Sequence, residues 1–164
     1  MMLGVAALAL AACGRAQARI GANGLPEATI FRITPADAQV IPFRMLESVN
    51  ALRAANGAGP LALDAQLNAA AATHSRDMAV QNRPWHFGSD GSSPLLRTQR
   101  VNYAGTFLGE VISETYQTEL ETLSAWMAQP DTRDVILDPR AREIGFAWFQ
   151  EESGKIWWTL LTGA

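Results

Sequence analysis

Apolar residues recur at helical spacing between Phe43 and Asn56, with Met45, Leu46, Val49 and Leu52 on one side. Gly57 and Gly59 end that run. Upstream, Thr34-Pro35 has the form of a helix start, a cap residue followed by proline in the first turn. Pro42 argues against one continuous helix through both segments. Asp64 is positioned to cap a second helix over about residues 65–81, with Leu67, Ala71, His74 and Met78 on one face. Ser92 or Ser93 with Pro94 opens a short third helix carrying Leu95, Leu96 and Val101. Residues 106–115 read as a strand. Thr118 with Glu121 resembles a capping box and starts a helix through Leu120, Leu123, Ala125 and Trp126 to Met127, which Pro130 stops. Residues 143–150 and 155–161 alternate as strands around the Ser153-Gly154 turn, an antiparallel hairpin. Helices first and strands later, with one helix interleaved, predict an α+β fold in which helices cover a sheet.

The N-terminal end departs from this pattern. Leu3 to Ala12 is an apolar run too short to span a bilayer as a mature helix, and of the length of a signal-peptide core. Leu10-Ala11-Ala12-Cys13-Gly14 resembles the bacterial lipobox, whose cysteine thiolate takes the lipid. No Lys or Arg precedes the run, and Ala16-Gln17-Ala18 offers an alternative, ordinary cleavage site that would release a soluble protein. The expected division is a signal peptide over 1–13 ending at a lipidated Cys13, a tether over 14–34, and a domain over 35–164. Ile30, Phe31 and Ile33 in the tether are expected to pack on the domain as an extended arm. The corresponding location is the cell envelope, as a periplasm-facing lipoprotein held by its N-terminal lipid, or a secreted protein.

Length and composition add bounds. A chain of 164 residues with 48% hydrophobic and 18% charged positions suits one globular domain plus extra sequence at one end. The single cysteine excludes an internal disulfide. The net charge of -3 and the lack of a basic stripe argue against a nucleic-acid partner. Every basic residue except Lys155 is arginine, a compositional bias and not a phosphate-binding signal.

Several short pieces, in order, carry a resemblance. They are Leu52-Arg53 with Pro60-Leu61, His74-Ser75-Arg76-Asp77-Met78-Ala79, and His86 followed by Asp90-Gly91-Ser92-Ser93-Pro94 and Arg97. Gly109-Glu110, Trp126-Met127, Ile136-Leu137, Ile144-Gly145-Phe146 and Trp157-Trp158-Thr159 complete the set. From about residue 44 to 161 the chain resembles the CAP superfamily of cysteine-rich secretory, antigen 5 and pathogenesis-related proteins, and within it the disulfide-free bacterial branch of SCP-like extracellular proteins. The resemblance implies an α-β-α sandwich with a central antiparallel sheet covered by helices and an open cleft on its surface. In eukaryotic members two histidines and two acidic residues line that cleft, and some hold a divalent metal there. On this chain His86 matches the first histidine and Glu110 the first carboxylate. The second carboxylate falls near Gln129 and is missing. Thr132, in Pro130-Asp131-Thr132-Arg133, stands where the second histidine belongs, and Val111 replaces the usual asparagine.

Three readings of this cleft follow. A zinc site wants roughly four N, O or S ligands. His86, Glu110 and Asp131 amount to a weak divalent-metal site at most, and Thr132 is a poor ligand; no other cofactor is expected. A hydrolase or peptidase of envelope material would use His86 as general base oriented by Glu110, with water or a serine from Ser89, Ser92 or Ser93 as the nucleophile. There is no Gly-x-Ser-x-Gly elbow and no His-Glu-x-x-His, and Ser89, Ser92 and Ser93 are better explained by turn and cap chemistry. A binding site requires less. The cleft, lined by His86, Glu110, Asp131 and Thr132, with Trp85 and Tyr103 at its rim, is expected to hold a lipid, a glycan or an envelope protein. Competing structural roles are a satisfied carboxylate for Glu110, helix-end packing for Trp85, and a half-buried core histidine for His74, kept apart from the cleft. The sequence leaves the oligomeric state undecided.

Overall fold

Every residue from Ile156 to Gly163 is buried, and the remaining elements are arranged around this strand. It is the last element of a computed structural model that describes residues 30–164, in which Phe31–Ala164 form one folded unit. Cys13, the lipobox and most of the expected tether lie outside the described residues. In chain order the elements are α1 (Pro35–Ala55), β1 (Ala62–Leu63), α2 (Ala65–Gln81), α3 (Pro94–Arg100), β2 (Phe107–Glu114), α4 (Glu119–Ala128), α5 (Pro130–Leu137), β3 (Glu143–Gln150) and β4 (Ile156–Gly163).

The sheet order is β1-β3-β4-β2. β4 pairs antiparallel with β3 and β2, and the two-residue β1 adds a parallel edge to β3. Residues alternate between the two faces. On one face Val111, Ile144, Phe146, Trp158 and Leu160 meet Ile41, Met45 and Val49 of α1, Leu123 and Trp126 of α4, and Ile136 of α5. On the other face Ala147 and Leu161 meet Leu67, Ala70 and Ala71 of α2. A strand covered on both faces is buried along its whole length, which explains the continuous Ile156-Trp157-Trp158-Thr159-Leu160-Leu161 run.

The predicted caps form. Thr34 and Thr118 each complete a capping box, with Asp37 and Glu121 respectively, and Asp64 and Ser93 accept from the Leu67 and Leu96 amides. Two proline expectations are corrected. α1 runs through Pro42 unbroken. The missing proline N–H deprives only the carbonyl of Ala38, which is exposed and can be hydrated. Pro130 does follow the end of α4, but it also occupies the first turn of α5, a helix the periodicity did not indicate. Arg53, fully buried, holds that region to α1: its guanidinium donates to the carbonyls of Gly59, Ile136, Asp138 and Ala141.

The arm packs as expected over its described part. Phe31 and Ile33 lie against the core, while Ile30 is half exposed. The Gln150 side chain accepts from the Ile33 amide at 3.0 Å and donates to the Phe31 carbonyl at 2.8 Å, and Arg32 grips the carbonyls of Glu151 and Glu152.

α2 approaches the sheet closely because Gly145 has no side chain. A Cβ there would overlap the backbone of Leu67 and Asn68. Gly145→Ala is therefore expected to lower stability by about 1–3 kcal/mol or more, read from urea unfolding. Gly59→Ala, at a position with open space around it, is the control that leaves the midpoint unchanged.

Candidate functional site

The loop over residues 82–93 carries His86 and is built from short local bonds. Asn82 ends α2 in the left-handed conformation. The Asp77 carboxylate accepts from the Ser89 amide and hydroxyl at 2.7 and 2.6 Å, and from Gln81 at 3.0 Å. Asp90 accepts from the Ser92 amide and pairs with Arg100, and the Ser92 hydroxyl first, then Arg100 and the Ser92 amide, hold its carboxyl well below the usual carboxylate range. Ser89 and Ser93 are thus engaged in turn and cap bonds, as the sequence suggested.

Glu110 comes from the other direction, on β2, and points to the α2 face of the sheet. Its side chain is 1% exposed. One carboxylate oxygen accepts from Arg97 Nη2 at 2.6 Å; the other accepts from His86 Nδ1 at 2.9 Å. Arg97, itself buried on α3, also donates to the backbone carbonyls of His86 and Ser92 at 3.0 Å. The expected convergence of His86 and Glu110 is therefore present, although they lie on a loop and a strand. The His86 side chain is 51% exposed. With Nδ1–H donated to Glu110, a neutral imidazole presents the Nε2 lone pair outward.

His74, expected as a half-buried core histidine apart from the cleft, is a core residue as expected, but it is buried completely and sits behind Glu110. It is fully buried on α2 with Nε2 3.7 Å from the same Glu110 oxygen. Nε2 lies 2.9 Å from the Trp85 carbonyl, to which it donates, and Nδ1 has no partner among the described residues. Burial, the largest cause, pushes this imidazole below its ordinary value; Glu110 opposes and Arg97 reinforces the shift. Arg97 and His74 are the members that sequence reasoning missed. Both belong to pieces that carry the family resemblance, but nothing local to them marks the contact with Glu110.

The other expected residues divide. Trp85 is half-buried beside His86, with Arg83 over its ring at 3.9 Å, Phe87 at 5.7 Å and its indole donating to Gln81. Thr132 turns its hydroxyl into the α4–α5 junction, where it donates to the carbonyls of Trp126 and Gln129. Asp131, in the first turn of α5, is exposed. Tyr103 is corrected: its ring packs on Gly163 and its hydroxyl donates to Glu143, at the far end of β3 from the hairpin turn. A cavity of about 260 Å³ between α2 and α3, lined by Thr73, Asp77 and Arg100 among others, meets the site through Arg97 and through Ser89, Asp90 and Ser92 of the His86 loop. As a metal site the donor set is poor. The oxygens of Glu110 already serve Arg97 and His86, the Thr132 hydroxyl is occupied, and a free imidazole nitrogen on His86 falls short of the roughly four donors zinc uses.

The model of the cysteine-rich secretory protein (CAP) family matches residues 46–161. The chain belongs to the CAP family. YkwD of Bacillus subtilis (strain 168) is 30% identical to it over 123 residues, covering 75% of this chain and 47% of YkwD, so this CAP chain spans about half the length of that relative. Among solved structures, an outer surface protein of Borrelia burgdorferi superposes with a TM-score of 0.69 at 16% identity, covering 77% of this chain and 94% of that one. A Bacillus anthracis extracellular protein containing an SCP domain also gives 0.69, at 21% identity, covering 80% and 44%. The α+β architecture expected from the resemblance is the architecture that this chain shares with these structures.

His74 gives the fold a pH dependence with a definite sign. The unfolded chain takes up a proton near 6.5, whereas the folded CAP domain resists until lower pH. Below 6.5 the unfolded state therefore binds more protons, and stability falls with pH. Urea-unfolding free energy is expected to decline as the pH is lowered through and below about 6.5, and His74→Gln is expected to flatten that slope. An unchanged slope would remove His74 as its source.

Proposed function

We propose that this CAP domain is a binding module of the extracytoplasmic space, taking a lipid, glycan or protein ligand of the cell envelope at the surface around His86. The observation that supports this is the half-exposed imidazole whose other nitrogen is fixed by a buried carboxylate. Fixing the ring removes rotamer freedom before a ligand arrives, which lowers the cost of binding. Trp85 and the 48%-exposed Phe87 add apolar surface beside the polar group, the mixture that ligand sites use. The location is supported by the structural neighbours described as outer surface and extracellular proteins and by the lipobox-like run ending at Cys13. No helix among the described residues is long and apolar enough to cross a membrane.

The His86–Glu110 arrangement also favours a second reading, a hydrolase in which His86 is the base and Glu110 orients it. It is the weaker one. The Ser89 hydroxyl donates to Asp77 and the Ser93 hydroxyl caps α3, so neither is directed at the ring, and the nucleophile on this reading is water activated by His86.

Titration of wild type and His86→Ala with envelope lipid extract, soluble glycan fragments and envelope protein separates the readings. Binding of one fraction is expected to fall at least tenfold in the variant, with unfolding free energy lowered by about 1–3 kcal/mol for the lost hydrogen bond to the Glu110 carboxylate. Equal binding by both proteins removes His86 from recognition; turnover that vanishes in His86→Ala and Glu110→Gln, with folding intact, favours the hydrolase.

Anchoring is tested separately by Cys13→Ala. The expected result is loss of processing and release from the membrane fraction, because stable attachment needs the acyl chains that this cysteine would carry.

A further inference from the structure

β2 is the outer strand of the sheet beside His86, and its free edge is chemically specific. The Thr115 amide donates to the Ile156 carbonyl. Continuing that register, Ser113, Val111 and Gly109 turn their backbone groups toward β4, and Glu110, Ile112 and Glu114 turn theirs away. The indole of Trp126 confirms the parity by donating to the Ile112 carbonyl at 3.0 Å. The N–H and C=O of Glu110 and the N–H of Ile112 have no hydrogen-bond partner among the described residues. Glu110 is 8% exposed as a residue although its side chain is 1% exposed, so the surface it retains is backbone.

This edge lies in a recess. Arg97 and the His86 loop stand on one face of it, and Val135 of α5 packs against Gly109 on the other. We infer that an extended peptide segment of a partner protein binds here as an added strand, alongside β2 between Leu108 and Ile112. The inference rests on reading the surface around His86 as a binding site, and it names the ligand class. Backbone donors and acceptors repeating every second residue are complemented by another extended backbone. An acyl chain has no such groups. α3 and α5 pack on the two faces of β2 and obstruct a second whole sheet, which disfavours edge pairing between two copies of this chain. The irregularity between Phe107 and Gly109 ends the regular edge on one side, and Trp126 closes it on the other. Side chains of the bound segment would alternate between His86 and Val135. The opposite edge of the sheet, where β3 extends beyond β1, runs past Ala38, Pro42 and Asn68 and has no comparable imidazole.

The test uses the full chain and a random linear heptapeptide library displayed on phage. The tightest peptide, synthesised with blocked ends, is expected to slow hydrogen exchange at the Glu110 and Ile112 amides at least tenfold. N-methylation at alternate peptide residues is expected to weaken binding at least tenfold, while methylation at the intervening residues has little effect. Ile112→Pro, which removes an outward N–H and leaves the pairing with β4 intact, is expected to bind the peptide at least tenfold more weakly. Should that variant misfold, exchange and N-methylation on the wild-type protein decide. The proposal is overturned if no peptide binds, if binding leaves both amides unchanged, if protection appears at Phe146 and Trp148 instead, or if the free protein is a dimer with these amides already protected. A lipid or glycan bound at His86 without slowing either amide would overturn strand addition and leave the binding reading standing.

Discussion

A carboxylate sealed inside a protein must be neutralised, and Glu110 is neutralised by Arg97. Removing one member of such a buried pair typically costs about 3–5 kcal/mol, because the other charge is left without compensation. That penalty ties the site to the fold. Arg97 reaches Glu110 only if α3 starts at Ser93 and lies against β2, and the same guanidinium fixes the His86 and Ser92 carbonyls. The exposed imidazole is therefore located twice, through its backbone by Arg97 and through its ring by Glu110. Glu110 serves the site as a buried orienting group, while His86 is the member that meets solvent.

The sheet makes this possible by being asymmetric. β4 is central and covered on both faces, so its neighbours can be held rigidly by packing alone. β2 is an edge, so a residue on it can combine a buried side chain with accessible backbone, as Glu110 does. Close approach of α2, permitted by Gly145, brings His74 and Ser75 down onto the same face. His74 then fills the space behind Glu110 with a neutral ring. A protonated ring there would bring a second cation close to the one carboxylate that Arg97 already neutralises, which is consistent with burial prevailing over the attraction of Glu110.

What could be read from the sequence was largely local. Caps at Thr34, Asp64, Ser93 and Thr118 depend on bonds within one turn, and the hairpin around Ser153-Gly154 on adjacent residues, so all were visible in one dimension. α5 escaped because it is short and because proline ends one helix and begins another with the same geometry. Pro42 misled because the cost of a missing helical bond depends on whether the orphaned carbonyl is wet, and exposure is a tertiary property. The pairing of His86 with Glu110 came from family resemblance and not from periodicity. The third and fourth members did not come at all. His74 sits among Leu67 and Met78 on an apolar face and reads as core, which it is; that the core there contains a carboxylate can be known only once β2 is laid beneath α2.

Thr132 shows how a residue at the α4–α5 junction supports the frame of the site. A histidine at that position would offer a second imidazole to the surface; threonine instead directs its hydroxyl to the carbonyls that end α4, taking up the helix-terminal groups that Pro130 cannot serve. The residue thereby contributes to the α4–α5 junction, and that junction sets where Val135 meets Gly109 and hence the far wall of the recess beside β2. What remains is one oriented imidazole, a committed carboxylate and a walled strand edge. The Ser89 and Thr132 hydroxyls donate to Asp77 and to the carbonyls that end α4, Ser93 caps α3, and the Glu110 oxygens serve Arg97 and His86, so the polar group the frame leaves open to solvent is the outer nitrogen of His86.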